Sequence, residues 1–132
     1  PNDTVYVDNR PGVLDCENNS YCYRMVSRNF CGTEGNLNLA EIHCSINLES
    51  IALPNRVVLN WNAYRGCDQV DQYEIYRVEG YDPGSATFLD IVAGNTRSYI
   101  DSTTRCFNTY SYRIRALGTQ SNEVSWSDLQ RS

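Results

Sequence analysis

One phrase occurs twice in this chain, and its repetition limits what the chain can fold into. "YCYRMVSRNFCG" covers residues 21–32, and "YSYRIRALGTQS" covers residues 110–121. A glutamate followed by an aliphatic residue comes after each copy, at Glu41-Ile42 and at Glu123-Val124. The copies lie roughly 90 residues apart, which is the size of one β-sandwich domain and too long for a solenoid repeat. The repetition therefore predicts two related units in one chain.

Alternating side chains predict that both units are built from strands. Side chains fall alternately on two faces, with a period of two, in "RVVLNWNA", "QYEIYRV" and "YSYRIRA". Turn-forming residues separate these segments, as at Asp82-Pro83-Gly84 and Gly94-Asn95. No segment has sustained helical periodicity, so we predict an all-β fold. The predicted core side chains are Trp61, Tyr73, Ile75, Tyr110, Tyr112 and Ile114, with Tyr21 and Tyr23 also inward, whereas Ser111, Arg113 and Arg115 are predicted to point outward.

The charge balance argues against a nucleic-acid surface. The 132 residues carry a formal net charge of −5, and arginine supplies all 11 basic residues. A nucleic-acid partner would need a dense basic stripe. No apolar run approaches the length of a membrane span, so we expect no membrane insertion. The chain starts at Pro1 rather than Met, which suggests a processed or excised piece of an exported protein.

The cysteines indicate disulfides rather than a metal cluster. The six are Cys16, Cys22, Cys31, Cys44, Cys67 and Cys106, without C-x-x-C pairs or histidines at zinc spacing. Disulfides imply an oxidising compartment, so we expect an extracellular or cell-surface location. Two sequons, at Asn2 and Asn18, are compatible with that location.

The second unit resembles a fibronectin type III domain from about residue 53 to residue 126. Trp61 stands where that family keeps a buried tryptophan on strand B. "YEIYR" resembles strand C, "SYID" strand E, "TYSYRIRA" strand F and "SNEV" the start of strand G. The resemblance implies an immunoglobulin-like β-sandwich in which the hydroxyl of Tyr110 ties the E–F turn to the sheet.

The first unit resembles only the second half of such a domain. Residues 4–8, 21–27 and 39–44 are similar to strands E, F and G. We therefore predict a C-terminal half-domain over residues 1–46 and a complete domain over residues 47–128. Half a sandwich cannot bury its apolar face. Either the piece belongs to a longer tandem array, or another chain completes the missing half.

Hairpin arithmetic predicts a disulfide between Cys22 and Cys44. The midpoint of the two positions is Thr33, inside the "CGTEG" turn, so the cysteines should face each other on adjacent strands. Aligning the two units places Cys22 at the position of Ser111 and Cys44 at that of Trp126.

The remaining cysteines are predicted from the implied topology. Cys67 in the B–C loop and Cys106 in the E–F loop would lie at opposite poles, roughly 23 Å apart and too far to bridge. Stacked domains would instead bring Cys16 close to Cys67, so we expect an interdomain Cys16–Cys67 disulfide. Cys31 and Cys106 would then face neighbouring domains.

Catalysis and metal binding have little support in the sequence. The single histidine, His43, has no nucleophile motif around it and is interpreted as a solvated strand residue. Asp68 and Asp71 are interpreted as solvated loop carboxylates. Asp15, Glu17 and Asp68 could converge on Ca²⁺, but they lack its usual ligand spacing and read as surface charge. We therefore expect no enzyme activity, no metal and no cofactor.

Resemblance also suggests a function. The cysteine-decorated first phrase is similar to fibronectin type III-like tandem modules of Bacteroidetes surface proteins, many of which leave the cell by type IX secretion. It implies a disulfide-stapled spacer or fibre segment with neighbouring domains as partners. It also implies O-glycosylation at Thr4 and Ser102. The alternatives are a fibre subunit completed by strands from another chain, a module that binds glycans or cell-surface proteins, and an accessory domain of a secreted hydrolase.

Overall fold

The computed structural model describes residues 7–8, 19–40, 42–66, 69–80, 82–118, 124–127 and 130–131. Within them the chain forms strands and one 3-10 turn, without an α-helix. The strands are β1 (Cys22–Arg24), β2 (Ile42–Cys44), β3 (Leu48–Leu53), β4 (Arg56–Trp61), β5 (Val70–Glu79), β6 (Thr87–Ala93), β7 (Ser98–Asp101), β8 (Tyr110–Gly118), β9 (Val124–Trp126) and β10 (Gln130–Arg131), and the turn is Pro83–Ser85.

Two antiparallel sheets form a sandwich from β3 to β10. The smaller sheet has the order β3-β4-β7, and the larger has the order β10-β8-β5-β6 with β9 also paired to β8. The chain crosses from one sheet to the other between consecutive strands, because β4 lies in the smaller sheet and β5 in the larger. The prediction of an all-β sandwich is confirmed.

The core fills the space between the sheets. Leu59 and Trp61 enter it from the smaller sheet, and Tyr73 and Ile114 enter it from the larger. The rings of Trp61 and Tyr73 meet edge to face at 5.7 Å, an arrangement worth about 1 kcal/mol beyond the buried area. All six predicted core residues are buried: Trp61, Tyr73, Ile75, Tyr110, Tyr112 and Ile114.

One predicted outward residue is buried instead. Ser111 is fully buried between β5 and β10, where it stands opposite Val78 and Arg131. Its hydroxyl donates to the carbonyl of Gly80 at 2.6 Å. Alternation correctly assigned Ser111 to the other face from its tyrosine neighbours, but flanking strands and this hydrogen bond exclude it from solvent.

The last hairpin has a different register from the one predicted. Trp126 stands opposite Arg115, and Arg131 stands opposite Ser111. The alignment of Cys44 with Trp126 is therefore wrong. The connection between β8 and β9 is centred later in the chain than residues 118–119, which displaces β9 along its partner strand.

The first unit is a two-stranded ribbon of β1 and β2. Its strands are shorter than residues 21–27 and 39–44, and residues 4–6 of the predicted preceding strand lie outside the described residues. Tyr23 is 37% exposed and Tyr21 is only half-buried, so the prediction that both belong to a core is wrong. Within the described chain β1 pairs with β2 alone, and no second sheet lies over them.

Candidate functional site

A buried polar cluster joins the two sheets at one end of the sandwich. Asp101 ends β7 and is 2% exposed. Its Oδ2 accepts from Arg77 of β5 at 2.8 Å and from the Tyr112 hydroxyl of β8 at 2.9 Å. Its Oδ1 accepts from the Thr103 N–H at 2.9 Å and from the Thr103 hydroxyl at 2.6 Å. The carboxylate is therefore saturated with donors, as burial of a charge requires.

The cluster changes the protonation behaviour of its members. Burial alone would raise the pKa of Asp101, but hydrogen bonds from Thr103, Arg77 and Tyr112 outweigh it and lower the pKa. Burial, followed by the hydrogen bond to Asp101, raises the pKa of Tyr112. Both shifts favour the charged form of Asp101 and the neutral form of Tyr112, which are the forms that this hydrogen bond joins.

The predicted tyrosine corner is present beside this cluster. The Tyr110 hydroxyl accepts from the backbone N–H of Arg105 at 3.2 Å, which ties the β7–β8 connection to the sheet. The guanidinium of Arg77 lies 4.9 Å from the centre of the Tyr110 ring. Arg77 therefore combines an ion pair with a cation–π contact, and the planar, always-charged guanidinium suits both.

The predicted disulfide between Cys22 and Cys44 is present in the ribbon. The two residues are directly opposite in the β1–β2 register, with an S–S distance of 2.04 Å. Cys44 is buried and Cys22 is exposed. The bond closes a loop across a separation of 22 residues, so it holds β1 against the strand that leads into the sandwich.

Backbone hydrogen bonds join β2 to the β4–β5 connection and the segment after β2 to the segment before β1. The Cys44 N–H donates to the Arg65 carbonyl at 2.7 Å, and the Ser45 N–H donates to the Tyr21 carbonyl at 2.7 Å. Further along, Ile46 bridges in parallel to Ser127. The connecting segment is thus bonded on both sides rather than being a loose linker.

His43 takes part in this junction, which corrects its interpretation as a solvated residue. It is half-buried, and its Nδ1 lies 3.0 Å from the Tyr64 hydroxyl. Gly66 passes so close that a Cβ there would lie 2.5 Å from the Tyr64 hydroxyl oxygen and 2.6 Å from the His43 Nδ1. The histidine is therefore packed into this junction.

One side of the ribbon exposes large apolar side chains. Met25 is 81% exposed, and Tyr23 and Val26 are 37% and 38% exposed. A groove of ≈ 680 Å³ is lined there by Asp8, Tyr23, Arg24, Met25 and Val26. At its edge the Tyr23 hydroxyl donates to the Asp8 Oδ2 at 3.3 Å. Monomeric proteins seldom leave such side chains clustered in solvent, so this face is a candidate interaction surface.

A second groove lies at the end of the sandwich that joins the ribbon. It measures ≈ 550 Å³, and its lining includes Tyr64, Asp71, Asn95 and Arg97. Arg97 is already committed to the fold, because it donates to the Gly94 carbonyl at 2.8 Å and lies 5.3 Å from the centre of the Tyr73 ring. Asp71 is exposed, as predicted, but it lies on β5 rather than in a loop.

The other predicted site residues divide into two groups. Cys31 and Cys106 are exposed thiols, and the Cys106 Sγ lies 3.0 Å from the Asn55 Oδ1. Ser102 is exposed next to the buried Asp101. The remaining positions lie outside the described residues: Asn2, Thr4, Asp15, Cys16, Glu17, Asn18, Cys67 and Asp68. The Cys16–Cys67 disulfide therefore stays a prediction.

The described ranges contain neither a cluster suited to a metal ion nor a helix suited to a membrane span. No three His, Cys, Asp or Glu side chains there are placed to hold an ion. No helix among those residues has the length and apolar character needed to cross a bilayer.

The sequence analysis did not predict the Arg77–Asp101 pair, although each residue ends a predicted strand. Arg77 ends "YEIYR" and Asp101 ends "SYID". In each phrase the charged residue falls on the same face as the inward residues two and four positions before it (Tyr73 and Ile75) or two positions before it (Tyr99), and this was the available signal. Each alone is typical of a solvated strand end, and only the sandwich topology brings the two together.

No protein-family model matches the chain. No curated protein sequence matches it either. Among solved structures, pectate lyase PelI from Erwinia chrysanthemi, in complex with tetragalacturonic acid, is similar with a TM-score of 0.60 and 17% identity, over 67% of this chain and 28% of that chain. Pectate lyase Pel3 from Pectobacterium carotovorum gives 0.61 and 17%, over 67% of this chain and 27% of that chain.

This chain therefore spans about a quarter of the length of those enzymes. At such low identity the likeness concerns the fold alone, and function belongs to sites rather than folds.

Proposed function

We propose that this chain is a non-catalytic extracellular structural module, a disulfide-stapled spacer or fibre segment with a fibronectin type III-like sandwich. The observation that carries the proposal is the way the two units are joined. The Cys22–Cys44 disulfide holds β1 to β2, and the backbone hydrogen bond from Cys44 to Arg65 joins β2 to the sandwich. A connection of this kind suits a part that transmits force or holds a fixed spacing between domains.

The interior of the sandwich supports the same role. The Arg77–Asp101 pair and the Tyr112–Asp101 hydrogen bond cross from one sheet to the other. Breaking a buried pair by removing one partner costs roughly 3–5 kcal/mol. Bonds of this kind oppose separation of the two sheets under load, which suits a mechanical role.

The resemblance to Bacteroidetes surface modules supplies the proposed location. The disulfide fits an oxidising, extracellular compartment. Ser102, one of two proposed O-glycosylation positions, is exposed. A glycan there would project away from the core. The intact mass of the native protein tests this feature, because a bare peptide mass excludes a glycan.

Size-exclusion chromatography with light scattering tests the choice between a spacer and a self-assembling subunit. A spacer stays monomeric at 15.0 kDa across a concentration series. A subunit completed by strands from another copy forms dimers or longer assemblies as concentration rises. Assembly of the purified chain would therefore replace the spacer proposal by the fibre-subunit proposal.

The second groove favours one other candidate function, the binding of an oligosaccharide. Tyr64 offers an aromatic ring, and Asn95 and Asp71 offer polar groups along the same wall. Calorimetric titration with a panel of oligosaccharides tests it, with Asn95→Ala as the matched variant. Binding that is weakened by this substitution would support a glycan-binding module, and absence of binding across the panel would remove it.

A further inference from the structure

The exposed face of the ribbon repeats the inner face of the complete sandwich. The phrase alignment matches Tyr23 with Tyr112 and Met25 with Ile114. Tyr112 and Ile114 are 0% exposed, whereas Tyr23 is 37% and Met25 is 81% exposed. The same kind of face is therefore covered in one unit and open in the other.

The polar contact at this face is repeated as well. Tyr112 donates to Asp101 at 2.9 Å, and Tyr23 donates to Asp8 at 3.3 Å. The two aspartates end the similar phrases "SYID" and "VYVD". The first unit thus carries counterparts of the tyrosine and the carboxylate of the buried cluster, in the lining of a groove.

The complete sandwich shows which side chain binds a tyrosine–aspartate pair of this kind. Asp101 accepts the guanidinium of Arg77, which comes from β5, the strand paired with β8. β1 is the counterpart of β8, so the strand paired with it at this edge would be a β5-like strand with an arginine after alternating aromatic and aliphatic residues, and β3- and β4-like strands would cover its apolar face. A carboxylate beside an apolar groove is complementary in charge to such an arginine.

We propose that the groove lined by Asp8, Tyr23, Arg24, Met25 and Val26 docks a β-segment of the β3–β6 type. The segment lies outside these 132 residues, and its β5-like strand pairs with β1 and places an arginine on Asp8. The inference rests on the proposed structural function and names the partner of its open face.

A second copy of this chain is a poor donor of that strand. Both edges of β5 are already paired, to β6 and to β8. Tyr73 and Ile75 of β5 are 0% exposed, so donating the strand would require unfolding the donor sandwich. The occupant is therefore a segment that is not already part of a closed sandwich.

An extended chain tests the proposal directly. A second copy of residues 47–93 is placed ahead of Pro1, so that Asp8 follows residue 93 at the same distance as Asp101 does. Met25 is the only methionine of the native chain and is 81% exposed, so its oxidation by dilute peroxide, measured by mass spectrometry, reports covering of the groove.

We expect Met25 oxidation to slow at least about tenfold in the extended chain, as for a thioether that becomes buried. Arg77→Gln in the added copy should remove much of this protection, and Asp8→Asn should do the same. Arg56→Gln in the added copy is the matched control, because Arg56 is exposed and should leave the protection unchanged.

Three results would overturn the proposal. If Met25 is protected equally by an added copy that carries Arg77→Gln and by the unchanged added copy, the arginine does not recognise Asp8. Unchanged Met25 oxidation in every extended chain would remove the docking site itself. Protection of Met25 in the native chain that grows with its concentration would show that a second copy is the occupant. The first two results leave the spacer proposal standing, since light scattering and force measurements test it separately.

Discussion

Arg77 of β5 and Asp101 of β7 form an ion pair of 2.8 Å that links the two sheets of the sandwich. Asp101 is 2% exposed, and the pair is completed by the Tyr112 hydroxyl and by Thr103. Most other contacts between the sheets are apolar and non-directional. This pair therefore fixes how one sheet is aligned on the other.

Asp101→Asn should destabilise the sandwich by roughly 3 kcal/mol. The amide turns one acceptor into a donor that faces other donors, and it leaves Arg77 without a buried counter-charge. Chemical denaturation measures the effect. Asp71→Asn removes an exposed carboxylate and should change the unfolding free energy by less than about 0.5 kcal/mol. Equal effects of the two substitutions would contradict the role assigned to the pair.

Acid should weaken the fold through Asp101. Its pKa is lowered in the native state from the ordinary value of 3.8, so the unfolded chain takes up the proton first. The contribution is complete above that value and is lost as pH falls through the lower native pKa. Unfolding free energies between about pH 6 and pH 2 should fall more steeply for the native chain than for Asp101→Asn. Parallel curves would contradict the assignment.

Alkali should weaken the fold through Tyr112. Its pKa is raised from the ordinary value of 10.0, so the contribution is complete below that pH and decreases as pH rises above it. Tyr112→Phe removes the ionising group and the bond to Asp101, at a cost of about 1–2 kcal/mol near neutral pH. Its stability should then depend less on pH above 10 than that of the native chain, as denaturation at pH 9 to 11 would show.

Gly94→Ala should destabilise the sandwich by several kcal/mol, because a Cβ there would lie 1.9 Å from the Val70 carbonyl oxygen. Backbone rather than a flexible side chain must move to make room. Thermal unfolding measures the effect. Gly35→Ala is the control, since the nearest atom to its Cβ would be 3.6 Å away. A Gly94→Ala protein as stable as the control would contradict the close approach.

Several parts of this architecture follow from the sequence, and others need the fold. Period-two alternation was sufficient to identify Trp61, Tyr73 and Ile114 as core, because a strand in a sandwich buries every second residue. Facing positions in a hairpin also follow from spacing, which is why the Cys22–Cys44 pair could be predicted.

Alternation gives the side of a sheet on which a residue lies, but not what covers that side. Tyr23 was assigned to a core that the described chain does not provide, and Ser111 was assigned to solvent that β5 and β10 exclude. The Arg77–Asp101 pair joins strands separated by a crossover between sheets, so no local pattern contains it.

Single-molecule extension of the chain from its two ends tests the spacer proposal most directly. The account predicts a distinct force peak when the sandwich opens. It also predicts that reductant lengthens the unfolded chain by about 70 Å, which is the contour between Cys22 and Cys44 at ~3.4 Å per residue across the separation of 22, less the 3.9 Å between their Cα atoms. Extension without a force peak, or equal lengths with and without reductant, would contradict it.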